Sequence, residues 1–361
     1  MNRKDTLAWV MYVCSSLRLS QAKTLSQLVL AAEKMVRTSL AELGRGLSAN
    51  SLVAAKHCIK RVDRFVGNHR IEPAVAMQGV ISWLAQPRKK LLVSLDWVDI
   101  RSLHCLVLAA RIRGRALPLL WAVYRTEQLY RSQNYLEYGL LRLFRTMLPS
   151  STQLVILADR AFGRAEMARQ CQKLGFDYII RIRPEVHIYH PDFTGKLLDL
   201  PLHPGYSKVL RNVAYRQSRP VNQHVAVLWP RGQSEPWFLM TNLPHIQAAK
   251  LGKIFGRRMS IEQYFRDAKS KRNGFALRLS LIGDPRRLER LLLVLALAYI
   301  LLVAVGLHCL KRYRPSRWCS NNRPGECSLF TIGRVMLEQP LPQLKRLLNE
   351  LRTEVLLGNW G

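Results

Sequence analysis

The chain has 361 residues, 48% of them apolar and 22% charged, enough for a large core and two or three domains. Its 56 Lys and Arg against 24 Asp and Glu leave a formal net charge of +32. Such self-repulsion destabilises a compact protein unless a polyanion neutralises it. This composition excludes a long disordered tract, and seven scattered cysteines without a CxxC pair exclude a disulfide scaffold. A reducing, cytosolic setting is expected.

A phosphate backbone rewards a cationic surplus through counterion release, so nucleic acid is the expected partner. The surplus is spread out. Residues 1–70 hold 12 basic and 4 acidic residues, and residues 250–290 again hold 12 and 4. Several DNA-facing surfaces are expected rather than one basic arm.

The first 20 residues carry a short apolar run broken by polar residues, without a small-residue cleavage site, and are not read as a signal peptide. Residues 20–70 read as helices. Ser39 with Glu42 three residues on has the capping-box spacing, and Gly44 and Gly46 are expected to end that short helix. Leu52, Ala55, Ile59, Val62 and Val66 then recur at helical spacing, with Lys56, Lys60, Arg61 and Arg64 on the other faces and Gly67 as the stop. A short helix, a glycine turn and a basic amphipathic helix resemble a helix-turn-helix DNA reader. The alternative is a helical bundle with a solvated basic face.

From residue 88 the pattern becomes that of strands. KKLLVSLDWVDI, LHCLVLAARIR and ALPLLWAVY form an expected antiparallel meander, followed by a helix over roughly 130–148. TQLVILADRAFG is a buried strand ending in an acid, and after a further helix FDYIIRIR is another strand. The order β-β-β-α-β-α-β is that of an RNase H-like core in the α/β class. Residues 185–245 read as an all-β insertion, 246–273 as helical, and 286–311 and 341–356 as closing helices. The expected domains are a helical DNA-binding unit (1–75), the core (88–184 and 246–312), the insertion (185–245) and a C-terminal helical region (313–361). The run 291–307 is near the lower limit of a membrane span, but a core helix buried on all sides is the preferred reading, with no membrane partner. His308, Cys309, Cys319 and Cys327 match the spacing of no compact zinc module, and the thiols are read as buried or free.

Phosphodiester cleavage needs an activated oxygen nucleophile and relief of charge on the leaving oxygen. Two hard cations about 4 Å apart supply both. Such ions take carboxylate oxygens, so acids are expected at the ends of adjacent strands on a basic surface. Asp96 is expected to end the first strand and Asp159 the fourth. Asp99 is placed past the strand end, as an outer neighbour. A third acid is expected from the basic helix, where Phe255, Arg258, Glu262, Arg266 and Lys269 fall on one stripe. There Glu262 can bind metal while its cationic neighbours hold phosphates. Asp267 lies about 140° round the helix from Glu262 and is not expected in the site. A solvated ladder of ion pairs is the alternative for this stripe.

Taken together, LDWVD, LADRAFG and FxxRxxxExxxxxxK resemble the DDE transposases of bacterial insertion sequences. They are most similar to the cut-and-paste branch with a Y-(2)-R-(3)-E-(6)-K signature, here Phe255, Arg258, Glu262 and Lys269. The resemblance covers nearly the whole chain. It implies a catalytic triad of Asp96, Asp159 and Glu262 holding two Mg²⁺ (or Mn²⁺), with Arg258 and Lys269 gripping DNA phosphates. It also implies end cleavage through a hairpin, joining to target DNA, and a homodimer working in trans on paired ends in the bacterial cytoplasm, associated with the nucleoid. Trp237 in EPWFLMTNL matches a tryptophan that receives a flipped base, although a strand Trp filling a small core is an equal alternative. The signature tyrosine is Phe255 here, which removes a phosphate-binding hydroxyl. The alternatives are an inactive DNA-binding derivative and a structure-selective nuclease on the same core.

Overall fold

The computed structural model describes residues 2–35, 37–49, 51–85, 90–215, 221–320 and 327–357. Five helices open the chain: α1 (Arg3–Val13), α2 (Leu19–Lys34), α3 (Leu40–Ser48), α4 (Ala55–Gly67) and α5 (Pro73–Leu84). Ser39 caps α3, its hydroxyl accepting the Glu42 N–H at 3.1 Å. Gly44 and Gly46 do not end that helix; both lie inside it. A Cβ on Gly44 would sit 2.6 Å from the Ile59 Cα, so the glycine is the contact point where α4 crosses α3. Packing overrides the weak helix propensity of glycine. Leu52 falls outside α4 and is exposed, because its helix begins only at Ala55.

A meander follows, β1 (Lys90–Ile100), β2 (Leu103–Ile112) and β3 (Arg115–Arg125), and then the single turn α6 (Thr126–Leu129) and α7 (Gln133–Met147). Next come β4 (Gln153–Ala158), α8 (Ala165–Lys173) and β5 (Asp177–Arg181). Among the described residues the sheet has ten strands, in the order β3-β2-β1-β4-β5-β10-β9-β8-β6-β7. Its later members are β6 (His187–His190), β7 (Phe193–Lys196), β8 (Ser207–Tyr215), β9 (Val221–Leu228) and β10 (Trp237–Thr241). Among the described residues only β1–β4 and β4–β5 pair in parallel. The strands of 185–245 continue the central sheet, because β10 pairs antiparallel with β5.

One expectation about β1 is corrected. The strand does not end at Asp96 but runs on to Ile100, and Asp99 lies within it. The reason is the partner strand. The β1–β4 ladder stops at Leu95 opposite Ala158, but β2 keeps pairing with β1 as far as Ile100 opposite Leu103. A tight turn at Arg101, with φ of 60°, makes that continuation possible.

The helices cover both faces of the sheet. Leu91, Val93 and Leu95 face the main core, whereas Leu92 joins a smaller core with Val155, Ile179 and Leu239, the period-2 alternation of a strand buried on both sides. The stretch 246–273 is two helices, not one: α9 (Ala248–Gly256) and α10 (Met259–Lys269). A tight turn at Arg257–Arg258, held by bonds such as Arg258 N–H to Phe255 O at 2.8 Å, separates them. The two halves serve different cores. Leu251, Ile254 and Phe255 pack into the smaller one, and Ile261, Tyr264 and Phe265 into the main one. The stripe from Phe255 to Lys269 is therefore interrupted after Phe255.

The chain closes with α11 (Pro285–Arg312), α12 (Leu329–Met336) and α13 (Leu344–Leu357). Asp284 caps α11 through the Arg287 N–H, with Pro285 at the first helical position. This helix is long and apolar enough to cross a membrane, yet its apolar window is wholly buried. It packs against α2, α12, α13 and β3, as a core helix does.

Candidate active site

The sheet brings Asp96 and Asp159 together. Each follows the last residue of the β1–β4 ladder, Leu95 and Ala158 respectively, so the two acids lie side by side where that parallel pairing ends. Asp96 Oδ1 accepts the backbone N–H of Trp97 at 2.9 Å, and Asp159 Oδ1 accepts that of Ala161 at 2.8 Å. Both carboxylates are thus fixed by backbone N–H groups of their own segments.

Glu262 reaches the same place from α10. Arg258 lies between it and Asp96. Its Nη1 donates to Asp96 Oδ2 at 3.2 Å and its Nη2 to Glu262 Oε1 at 2.6 Å. Burial pushes the Asp96 carboxyl up to about 7. Arg258 and the Trp97 N–H oppose the shift, and the neighbouring Asp159 and Glu262 charges add to it. All three acids therefore share one electrostatic neighbourhood. Lys269 stands close by, its ammonium pulled down by burial and by Arg278, with Asp99 and Asp96 holding it up.

The remaining expected residues are distributed unequally. Arg266 is exposed on α10. Phe255 is buried in the smaller core, its ring 5.5 Å from that of Trp237 in an edge-to-face contact. The Arg258 guanidinium lies over the Phe255 ring, 6.0 Å from its centroid. Trp237, half-buried, is therefore one ring removed from the residue that bridges the carboxylates. Lys56, Lys60, Arg61 and Arg64 stay exposed on α4, with Arg61 donating to Thr24 Oγ1 at 3.3 Å and Arg64 to Lys60 O. They belong to the opening helices and not to the carboxylate cluster.

Asp99 faces outward and pairs with His104 Nδ1 at 2.7 Å, while His104 Nε2 meets Thr126 Oγ1 at 3.0 Å. Asp267 is buried on the inner side of α10. It accepts from Arg115 Nε at 2.7 Å and from the Tyr299 hydroxyl at 2.9 Å, pinning the helix that carries Glu262 to β3 and α11. His308 pairs with Glu350 at 3.1 Å, and among the described residues no cysteine is joined in a disulfide.

Sequence reasoning missed Glu137. This residue of α7 is 1% exposed and accepts from the indole of Trp97 and the guanidinium of Arg164. Its partners are 40 and 27 residues away, so no local spacing marks it.

The donor set suits a hard divalent cation, since the carboxylates of Asp159 and Glu262 lie near enough to Asp96 to raise its proton affinity. Among the described residues no three Asp, Glu, His or Cys side chains are grouped closely enough to hold one ion, and Arg258 stands between Asp96 and Glu262. No curated protein matches the chain. A transposase DDE domain family model matches residues 98–301, which takes in Asp159 and Glu262 and begins just after Asp96. With more than half of its length inside that match, the chain belongs to the DDE-domain transposases, a family of nuclease-type enzymes.

Proposed function

We propose that this transposase binds the terminal inverted repeats of its element, cleaves the ends through a hairpin and joins them to target DNA. On this reading Asp96, Asp159 and Glu262 are the catalytic acids. The observation that carries it is the adjacency of Asp96 and Asp159 at the end of the β1–β4 ladder, with Glu262 tied to Asp96 through Arg258. The strand order β3-β2-β1-β4-β5 supports an RNase H-like core, and the motif spacing supports the branch with the Y-(2)-R-(3)-E-(6)-K signature.

The three carboxylates would hold two Mg²⁺ or Mn²⁺ ions, which supply charge relief at the attacking and leaving oxygens. Arg258 exchanges partners. Its Nε is buried and lacks a hydrogen-bond partner among the described residues, so a phosphate oxygen would complete its donor set. A DNA phosphate drawing the guanidinium aside would free Asp96 and Glu262 at the moment substrate arrives. Lys269 adds a point charge for the same strand. The exposed cations of α4 hold duplex DNA further out. A homodimer on paired ends, in the bacterial cytosol on the nucleoid, completes the proposal.

The test uses the full chain, Mg²⁺ and a duplex carrying the terminal repeat that flanks its coding sequence. Nicks, hairpins and joined products are expected, all lost in Asp96→Ala. Nicking of repeat-free duplexes without joining would make it a structure-selective nuclease. Binding without any product would make it a DNA-binding derivative.

A further inference from the structure

We infer that Glu137 is the positioning residue that fixes the separation of the Asp96 and Asp159 segments. The inference rests on the proposal that these two acids ligate metal. The β1–β4 ladder ends at Leu95 and Ala158, one residue short of each acid. Beyond that point the two chains part. One continues as β1 along β2, and the other turns away through Asp159, Ala161 and Arg164 toward α8. The spacing of the two carboxylates therefore depends on side chains.

Glu137 supplies the link. Its Oε1 accepts the Trp97 indole N–H at 2.9 Å, and Gln133 Nε2 approaches the same oxygen at 3.4 Å. Its Oε2 pairs with Arg164 Nη2. Trp97 is the residue whose backbone N–H holds Asp96. Arg164 closes the turn after Asp159, its Nη1 donating to Ala161 O at 2.6 Å, while the Ala161 N–H holds Asp159. One carboxylate thus grips, on either side, the residue next to one acid and the residue that shapes the turn of the other. A buried carboxylate is costly unless paired, and here each oxygen has a donor from a different segment. A purely structural role in joining α7 to the start of α8 would need Arg164 but not Trp97.

Three variants of the full chain separate these roles. Trp97→Phe removes the indole N–H with its five-membered ring and keeps a six-membered ring beside Tyr124, whose centroid is 5.9 Å from that of Trp97. Glu137→Gln removes the charge. Phe144→Leu, in the same helix and fully buried, lowers stability without touching the bridge. Two quantities are measured: Mn²⁺ binding by electron paramagnetic resonance titration, and the Mn²⁺ concentration giving half-maximal nicking. Trp97→Phe and Glu137→Gln are expected to shift both by about ten- to a hundredfold, the effect of losing a partner outside the ligand set. Phe144→Leu is expected to melt earlier with both values unchanged. If Trp97→Phe binds and uses Mn²⁺ as the parent does, the positioning role is overturned, even if Glu137→Gln does not fold. Asp96→Asn and Asp159→Asn test the underlying proposal separately. Parental Mn²⁺ binding by both would remove the carboxylate site itself, whatever Glu137 does.

Discussion

Arg258 is the residue on which the site turns. Its guanidinium is largely buried and paired to two acids, and removing one partner of such a cluster leaves uncompensated charge, at a cost of about 3 kcal/mol. Arg258→Met should therefore lower the melting temperature in metal-free buffer. Mg²⁺ should restore more of that loss than it adds to the parent, because the cation takes over the role of the guanidinium. An equal gain in both proteins would argue that metal does not enter between Asp96 and Glu262. Trp237 carries a second expectation at this scale. Trp237→Ala should slow hairpin formation several-fold more than the first nick, as loss of a stacking surface for a displaced base would. Because its ring also packs on Phe255, quench-flow assays of both steps are needed. Equal slowing would leave the tryptophan as core filling alone.

At the scale of elements, the opening helices are held by close approach and carry one buried acid at a cost that depends on pH. Gly44→Ala would drive a Cβ to within 2.6 Å of the Ile59 backbone and force α4 off α3. A loss of about 1–3 kcal/mol is expected from denaturant melts, the usual cost of overpacking. Glu33 on α2 is 2% exposed, and burial pushes its carboxyl from 4.5 up to about 8. In the unfolded chain it ionises near 4.5, so the folded state keeps a proton that the unfolded state has lost. The stability tied to this group is whole below that value and drains away as pH rises through about 8. Glu33→Gln should gain on the parent in melting temperature between about pH 5 and pH 8.5. A constant offset across that range would show that Glu33 ionises normally in the fold.

For the whole molecule, the net charge of +32 should appear as a steep dependence of DNA affinity on salt. If the exposed face of α4 meets phosphate, replacing Lys56, Lys60, Arg61 and Arg64 together by Ala should flatten the slope of log K against log salt by about 3–4. Fluorescence anisotropy over a salt series measures it. An unchanged slope would place the DNA contacts on other basic surfaces, such as that of Arg266.

Much of this protein was legible in its sequence because the signals are local. Strand runs, caps and the spacing of Arg258, Glu262 and Lys269 depend on neighbours a few residues apart, and the charge depends only on composition. The strand carrying Asp96 was visible, but not its end, since β2 and not the residues of β1 decides how far pairing persists. The break between α9 and α10 was hidden for a similar reason: two separate cores pull the two halves apart. Glycines 44 and 46 read as a stop, and only the crossing of α4 shows Gly44 as a contact. The residue types of the proposed site were thus legible in the sequence. Tertiary structure alone decided that Arg258 also reaches Asp96 and that Glu137 contacts both Trp97 and Arg164, because those contacts join residues from 27 to 162 positions apart.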